Sequence, residues 1–297
     1  MYSFSTGKMT GSVPLPQNTN ILNYSILNNF QHKVPFRRFA IKYVVSGKEE
    51  YTVNGNKYEI SDGSYLLANQ FAEGSITINN NIPVKGICID LSPDLLSEAV
   101  GSIVRPDTPF ADMAINTFFN APEFLENCYV AKNTLTGLDL LNLSTILSKN
   151  PDQPREVPDD LFFTIAEHLV VDHIPICKQL QNVKAIKYST KKDLYRRLLK
   201  GKFFIDENFA QSPSIRQIAA ISNLSEFHFF RLFKQTFGTT PYQYVLERKL
   251  QYAYAKLKTQ SLSITEIAFQ SGFADVHAFS KAFKKQFGIA PGNSRIG

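Results

Sequence analysis

Cysteine is scarce in this chain of 297 residues: Cys88, Cys128 and Cys177 lie 40 and 49 residues apart. Such spacing builds neither an even disulfide framework nor a Cys-x-x-Cys metal knuckle, and it points to reduced thiols in a cytoplasmic protein. The first 160 residues hold one histidine, His32, which disfavours a histidine-rich metal site and a metal-dependent enzyme there. No window reaches the roughly 18 apolar residues of a membrane span. Met1 to Val13 is rich in Ser and Gly without an apolar core, so neither export nor membrane insertion is expected. Gly-x-Gly-x-x-Gly, a phosphate-binding loop and a Gly-x-Ser-x-Gly elbow are all missing, and catalysis and cofactor binding have no visible candidate.

What is present suffices for folding. The chain is 43% apolar, 12% aromatic and 20% charged without a low-complexity tract, and its length suits about two domains. The net charge of +6 is uneven: Thr190 to Gly297 carries 17 basic against 7 acidic residues, net +10, and the preceding residues net −4. A basic C-terminal part seeks a polyanion, nucleic acid being the usual one, or carries an incidental surface bias.

From Arg38 to Asp90 short β-like runs alternate with turn signals: 39–45, 50–53, 57–60, 64–67, 75–78 and 84–89, with Asn54-Gly55 and Asp62-Gly63 as turn dipeptides. This pattern predicts a small antiparallel sandwich or barrel. Helical spacing follows at 93–103, 135–148 and 159–171, and Pro175 should end or kink the last of these. A polar break is expected at 150–154, and helices at 193–200 and 203–209. Tyr43, Asn69, Glu73 and Cys88 are candidates for a pocket lining or for surface and core. The stripe Leu161, Phe162, Ile165, Leu169 and Val170 suits either a dimer contact or a cover for the barrel.

The basic part contains an internal repeat. Ser214-Ile215-Arg216-Gln217-Ile218-Ala219 returns 49 positions later as Ser263-Ile264-Thr265-Glu266-Ile267-Ala268. Each copy reads as a capping box that opens a helix. Phe233-Lys234-Gln235-Thr236-Phe237-Gly238 with Pro241 returns 50 positions later as Phe283-Lys284-Lys285-Gln286-Phe287-Gly288 with Pro291, so the second copy has one extra residue in its turn. Ser222-Asn223-Leu224 and Ser271-Gly272-Phe273 supply the turns, and Ser225 and Asp275 cap the next helices. Two short helices across a tight turn make a helix-turn-helix unit. Between the copies, Pro241 to Lys258 predicts one longer helix that fixes their separation.

In such a unit the second helix enters the major groove. Core packing claims Phe229, Leu232 and Phe233, then Phe279, Ala282 and Phe283. That leaves Phe227, Phe230 and Arg231, and 50 positions later His277, Ser280 and Lys281, with Val276 beside them, as base-facing candidates. Arg231 and Lys281 can donate to guanine, His277 and Ser280 can hydrogen-bond, and the phenylalanines meet thymine methyls or else belong to the core. Lys234, Arg248, Lys249, Lys284 and Lys285 are candidates for phosphate contact or for ordinary surface charge.

These residues carry a resemblance. The run from Ile264, Glu266, Ile267 and Ala268 through Gly272-Phe273, Asp275, Phe279, Lys281 and Phe283-Lys284 to Phe287-Gly288 and Pro291 is similar to the signature of the AraC/XylS-type transcription regulators. The resemblance covers about a third of the chain. It implies seven helices with two helix-turn-helix units in successive major grooves, and base-contact roles for Phe227, Phe230, Arg231, Val276, His277, Ser280 and Lys281. The family's cysteine-dependent DNA-repair relatives are excluded by the cysteine spacing. The Gly292-Asn293-Ser294-Arg295 ending departs from the family, which usually has an aromatic there.

The expectation is therefore an α+β chain: residues 1–180 a cupin-like β-barrel regulatory or dimerisation domain with trailing helices, 181–190 a linker, and 191–297 an all-α DNA-binding domain. The function expected is sequence-specific transcription regulation responsive to an effector, with double-stranded DNA, RNA polymerase, a small molecule and a second copy of the chain as partners. Its rivals are a small-molecule-binding or enzymatic barrel anchored to DNA, and non-specific architectural binding.

Overall fold

The computed structural model describes residues 1–6, 18–79, 82–103, 109–122, 124–153, 155–185, 187–259 and 262–295. The chain divides into two compact units, Met1–Lys178 and Gln179–Gly297. Most of the N-terminal tail expectation, and Pro154 of the polar break, fall outside the described residues.

The first unit is built of two facing sheets. Its strands are β1 (Tyr2–Thr6), β2 (Ile21–Leu27), β3 (Phe30–Pro35), β4 (Phe39–Ser46), β5 (Lys48–Val53), β6 (Asn56–Ser61), β7 (Ser64–Ala68), β8 (Glu73–Ile78), β9 (Val84–Leu91) and β10 (Asn127–Val130). One sheet runs β1-β2-β9-β4-β7-β10 and the other β3-β8-β5-β6. All pairings are antiparallel except β1 with β2. The arrangement is a sandwich of two open sheets, and barrel describes it only loosely. Asn54 and Gly55 turn β5 back into β6 with φ of 48° and 78°. Val44, Tyr51, Val53, Ile60, Leu66 and Ile76 fill the space between the sheets.

Helices α1 (Pro93–Ile103), α2 (Pro109–Asn120), α3 (Leu135–Leu147) and α4 (Asp159–Asn182) follow. Phe162, Ile165, Leu169 and Val170 are buried, so the α4 stripe covers this unit and does not wait for a partner. Asp172 on α4 accepts from the Leu135 and Thr136 backbone N–H groups at the start of α3. Pro175 does not end α4. Its missing donor costs one intrahelical bond, yet the helix continues to Asn182, and Cys177 and Leu180 beyond the proline are buried.

The second unit contains α5 (Tyr188–Asn208), α6 (Ile215–Ile221), α7 (Glu226–Phe237), α8 (Pro241–Thr259), α9 (Ile264–Gln270) and α10 (Val276–Phe287). Two expected helices at its start merge into α5, with Gly201 inside. A Cβ there would lie 2.4 Å from Ser222 Oγ and 2.5 Å from the Phe229 ring, so the bare backbone lets α5 press on the first helix-turn-helix unit. Among the described residues the family's seventh helix is only a 3-10 turn, Pro291–Arg295, in which Ser294 Oγ donates to the Pro291 carbonyl.

Candidate nucleic-acid interface

Both helix-turn-helix units form from the same local chemistry. Ser214 Oγ accepts from Gln217 N and Ser263 Oγ from Glu266 N, and each N3 side chain returns a bond to the cap, completing two capping boxes. In the first turn Asn223 takes φ 50°, and Leu224 N donates to Ala219 O. In the second Gly272 takes φ 80°, and Phe273 N donates to Ala268 O. Ser222 and Ser271, both buried, donate to the carbonyls of Ile218 and Ile267 four residues back. Ser225 and Asp275 cap α7 and α10. The extra residue of the second copy is Ala274, between Phe273 and its cap.

Behind each second helix lies a phenylalanine core. Phe229 and Phe233 pack with Leu198, Ile205, Ile218 and Ala219, and Phe279 and Phe283 pack with Leu250, Ala253, Ile267 and Ala268. Each fully buried ring contributes about 1.5–3 kcal/mol and fixes which way its helix faces. On the outer side of α7, Phe227 is 73% exposed, and Arg231 and Lys234 are also exposed. The Arg231 guanidinium sits 5.8 Å from the Phe227 ring centroid. Phe230 is half-buried, its ring 6.3 Å from that of Tyr242. On α10, His277, Lys281, Lys284 and Lys285 are exposed, Ser280 is half-buried, and Val276 packs partly into the core.

One expected phosphate contact is corrected. Lys249 is 8% exposed, and its ammonium donates to Ser212 Oγ at 2.6 Å and to the Gly272 carbonyl at 2.5 Å. Burial lowers its pKa. Val245, Lys249 and Ala253 recur every fourth residue on the inward side of α8, a spacing that already placed Lys249 inside. Arg248, partly exposed, pairs with Asp206 at 2.8 Å and donates to Gln251 Oε1. Tyr242, which sequence reasoning passed over, joins the exposed face through its place just after the Thr240 cap and Pro241.

A second site lies inside the first unit, where the two sheets enclose a cavity of about 510 Å³. Apolar walls come from Ile21, Leu27, Phe30, Phe36, Ile76 and Ile87, and charge from Lys33, Arg37, Arg38, Lys42, Glu49 and Asp90. Tyr43 and Cys88 line it as candidates. Asn69 instead donates to the Phe119 and Ala121 carbonyls, and Glu73 is exposed. Lys42 bonds to Cys88 Sγ and lies 3.5 Å from Asp90. Burial alone would lower the Lys42 pKa, but Asp90 and Cys88 outweigh it and raise it well above the ordinary value. Burial pushes the Cys88 thiol up to about 12 and the Glu49 carboxyl up to about 7, the latter although Tyr51 donates to it at 2.9 Å. Among the described residues no group of three or more His, Cys, Asp and Glu side chains is placed to hold a metal, and no helix is long and apolar enough to cross a membrane.

A helix-turn-helix domain family matches residues 218–295, which contain all twelve base- and phosphate-contact candidates. A transcriptional regulator with an AraC-type DNA-binding domain from Chromobacterium violaceum is 32% identical, covering 34% of this chain and 90% of that one, with a TM-score of 0.33. The XylDLEGF operon transcriptional activator 2 of Pseudomonas putida is 34% identical over 94 residues, 31% of this chain and 60% of that protein. The similarity to AraC/XylS-type regulators lies in the C-terminal unit. The probable transcriptional regulator LumQ of Photobacterium leiognathi is 28% identical over 88 residues, 30% of this chain and 36% of that one. The chain thus spans from about a third to three fifths of the length of these two curated relatives. The matched stretch runs from the second half of α6 to the last 3-10 turn and so contains α7 and α10, the second helix of each helix-turn-helix unit.

Proposed function

We propose that the chain is a transcription regulator that reads two successive major grooves with α7 and α10. One observation carries the reading: α7 buries Phe229 and Phe233 and α10 buries Phe279 and Phe283, and each leaves on its other side an exposed or half-buried trio, Phe227, Phe230 and Arg231 or His277, Ser280 and Lys281, at the same 50-residue offset. Arg231 and Lys281 donate to guanine edges, while Lys234, Lys284 and Lys285 meet phosphates. The 19 residues of α8 span about 28 Å at 1.5 Å each, a rod suited to holding two reading heads about one DNA turn apart. Competition binding tests this. Selective enrichment of a duplex that is lost in Arg231→Ala/Lys281→Ala supports base reading, and affinity that is uniform across sequences and governed by salt alone overturns it.

The first unit is proposed to take a small effector. Its cavity of about 510 Å³ falls in the range of small-molecule sites, and four cations line it against two carboxylates, one of them raised toward neutrality. Apolar walls with a cationic excess suit an amphiphile with one anionic end. Binding of medium-chain and aromatic carboxylates over the matching alcohols, lost in Lys42→Met, supports the assignment; equal binding of acid and alcohol overturns it. A second copy of the chain and RNA polymerase are the partners through which such a regulator would act. The exposed apolar residues Leu135, Leu138 and Ile146 along one side of α3 favour the former.

A further inference from the structure

The two reading helices are chemically unlike, and this difference, taken together with the DNA reading above, assigns them different bases. At the three equivalent positions α7 has Phe227, Phe230 and Arg231, where α10 has His277, Ser280 and Lys281. Tyr242, 57% exposed, extends the aromatic group of the first unit beside Phe230, and its counterpart 50 positions later is Gly292. The first unit thus presents three neighbouring phenyl or phenol rings where the second presents only the polar imidazole of His277.

Folding does not explain that aromatic face. The core of the first unit is already filled by Phe229, Phe233 and their neighbours, whereas Phe227 is 73% exposed. The Arg231 guanidinium lies 5.8 Å from its ring centroid, an exposed and therefore weak contact. In the major groove only thymine offers an apolar group, its 5-methyl, while the other bases present donors and acceptors that lose hydration against a phenyl ring and gain no bond.

We propose that the first helix-turn-helix unit selects thymine by its 5-methyl group through Phe227, Phe230 and Tyr242, and that the second unit reads its half-site by hydrogen bonds. Operators of this protein then have one methyl-dependent half and one methyl-independent half.

The test uses the full chain and duplexes selected from a randomised pool. Thymines in the selected sequence are replaced one at a time by deoxyuridine, which pairs identically and lacks only the methyl. A buried methyl is worth about fourfold in binding, so each contacted thymine in one half-site should lose about that factor, with no loss in the other half. In Phe227→Ala, whose substituted side chain lies outside the core, the thymine and deoxyuridine duplexes should bind alike at the contacted position. An enriched sequence that tolerates deoxyuridine throughout overturns this inference and leaves the DNA reading standing. A pool that yields no enriched sequence overturns the DNA reading and the inference with it.

Discussion

The Lys249 ammonium donates to the Gly272 carbonyl, so the rod between the two helix-turn-helix units is bonded directly to the turn of the second. The same ammonium donates to Ser212, which takes φ 53° just before the first unit, and lies 5.4 Å from the Phe273 ring. One buried cation therefore ties together the loop before the first unit, the connecting helix and the second turn. Relative placement of the reading heads depends on this contact as well as on the stiffness of α8.

Lys249→Met keeps the length of the side chain and removes its charge. It leaves the half-buried Gly272 carbonyl and the exposed Ser212 hydroxyl without this donor and should destabilise the C-terminal unit by about 0.5–1.5 kcal/mol in urea unfolding. DNA affinity should fall while the slope of log affinity against log salt stays unchanged, because no phosphate contact is lost. A slope reduced by about 1 would return Lys249 to the phosphate-binding set.

Gly272 meets two demands at once. Its φ is 80°, and a Cβ would lie 2.0 Å from the Ala210 carbonyl oxygen, where the second turn presses on the 3-10 turn Phe209–Gln211. Gly238 has a similar φ of 74° with nothing near its missing Cβ. Gly238→Ala should therefore cost only about 1–2 kcal/mol of backbone strain. Gly272→Ala adds a backbone collision and should cost clearly more. Equal melting temperatures for the two variants would show that the second turn does not press on Ala210.

Lysines in the last turn of α10 should behave unlike those that meet bases. Lys284→Ala/Lys285→Ala should weaken binding to selected and unrelated duplexes alike and lower the salt slope by up to about 2, since each phosphate contact releases about one counterion. Lys281→Ala should instead cost about 1–3 kcal/mol on the selected duplex and little on unrelated DNA. Salt titrations on both duplexes separate the cases, and identical profiles would remove the distinction between base and phosphate contacts.

The C-terminal unit was legible because its signals are local. Capping boxes, turn residues and a phenylalanine repeat sit a few residues apart, and each was read from side-chain type alone. Lys249 is the residue for which charge was weighed above position: it faces inward along α8 toward partners distant in sequence, whereas its neighbour Arg248 stays partly exposed beside Asp206. In the first unit β2 went unseen. Its Asn23 and Ser25 face the cavity, and a polar-lined interior erases the alternation that marks a half-buried strand. The cavity itself gathers residues from seven strands, a grouping that only strand register creates.

Two buried groups in the first unit should oppose each other as pH changes. Burial raises Glu49 from 4.5 to about 7, so between these values the folded unit holds a proton that the unfolded chain has released, and stability falls as pH rises. Burial lowers His173 from 6.5 to about 4, its Nδ1–H donating to Leu169 O and Nε2 accepting from Tyr129. Across that window the unfolded chain binds the extra proton, so stability rises with pH. Each shift is worth about 3 kcal/mol, and where the windows overlap, between pH 4.5 and 6.5, the two slopes cancel. The wild type should then be nearly flat in denaturant stability across that range. Glu49→Gln removes one term and should expose the other, gaining about 3 kcal/mol between about pH 4 and 6.5. Parallel curves for wild type and variant from pH 4 to 8 would show that Glu49 titrates as an ordinary carboxylate and that the cavity floor is wet.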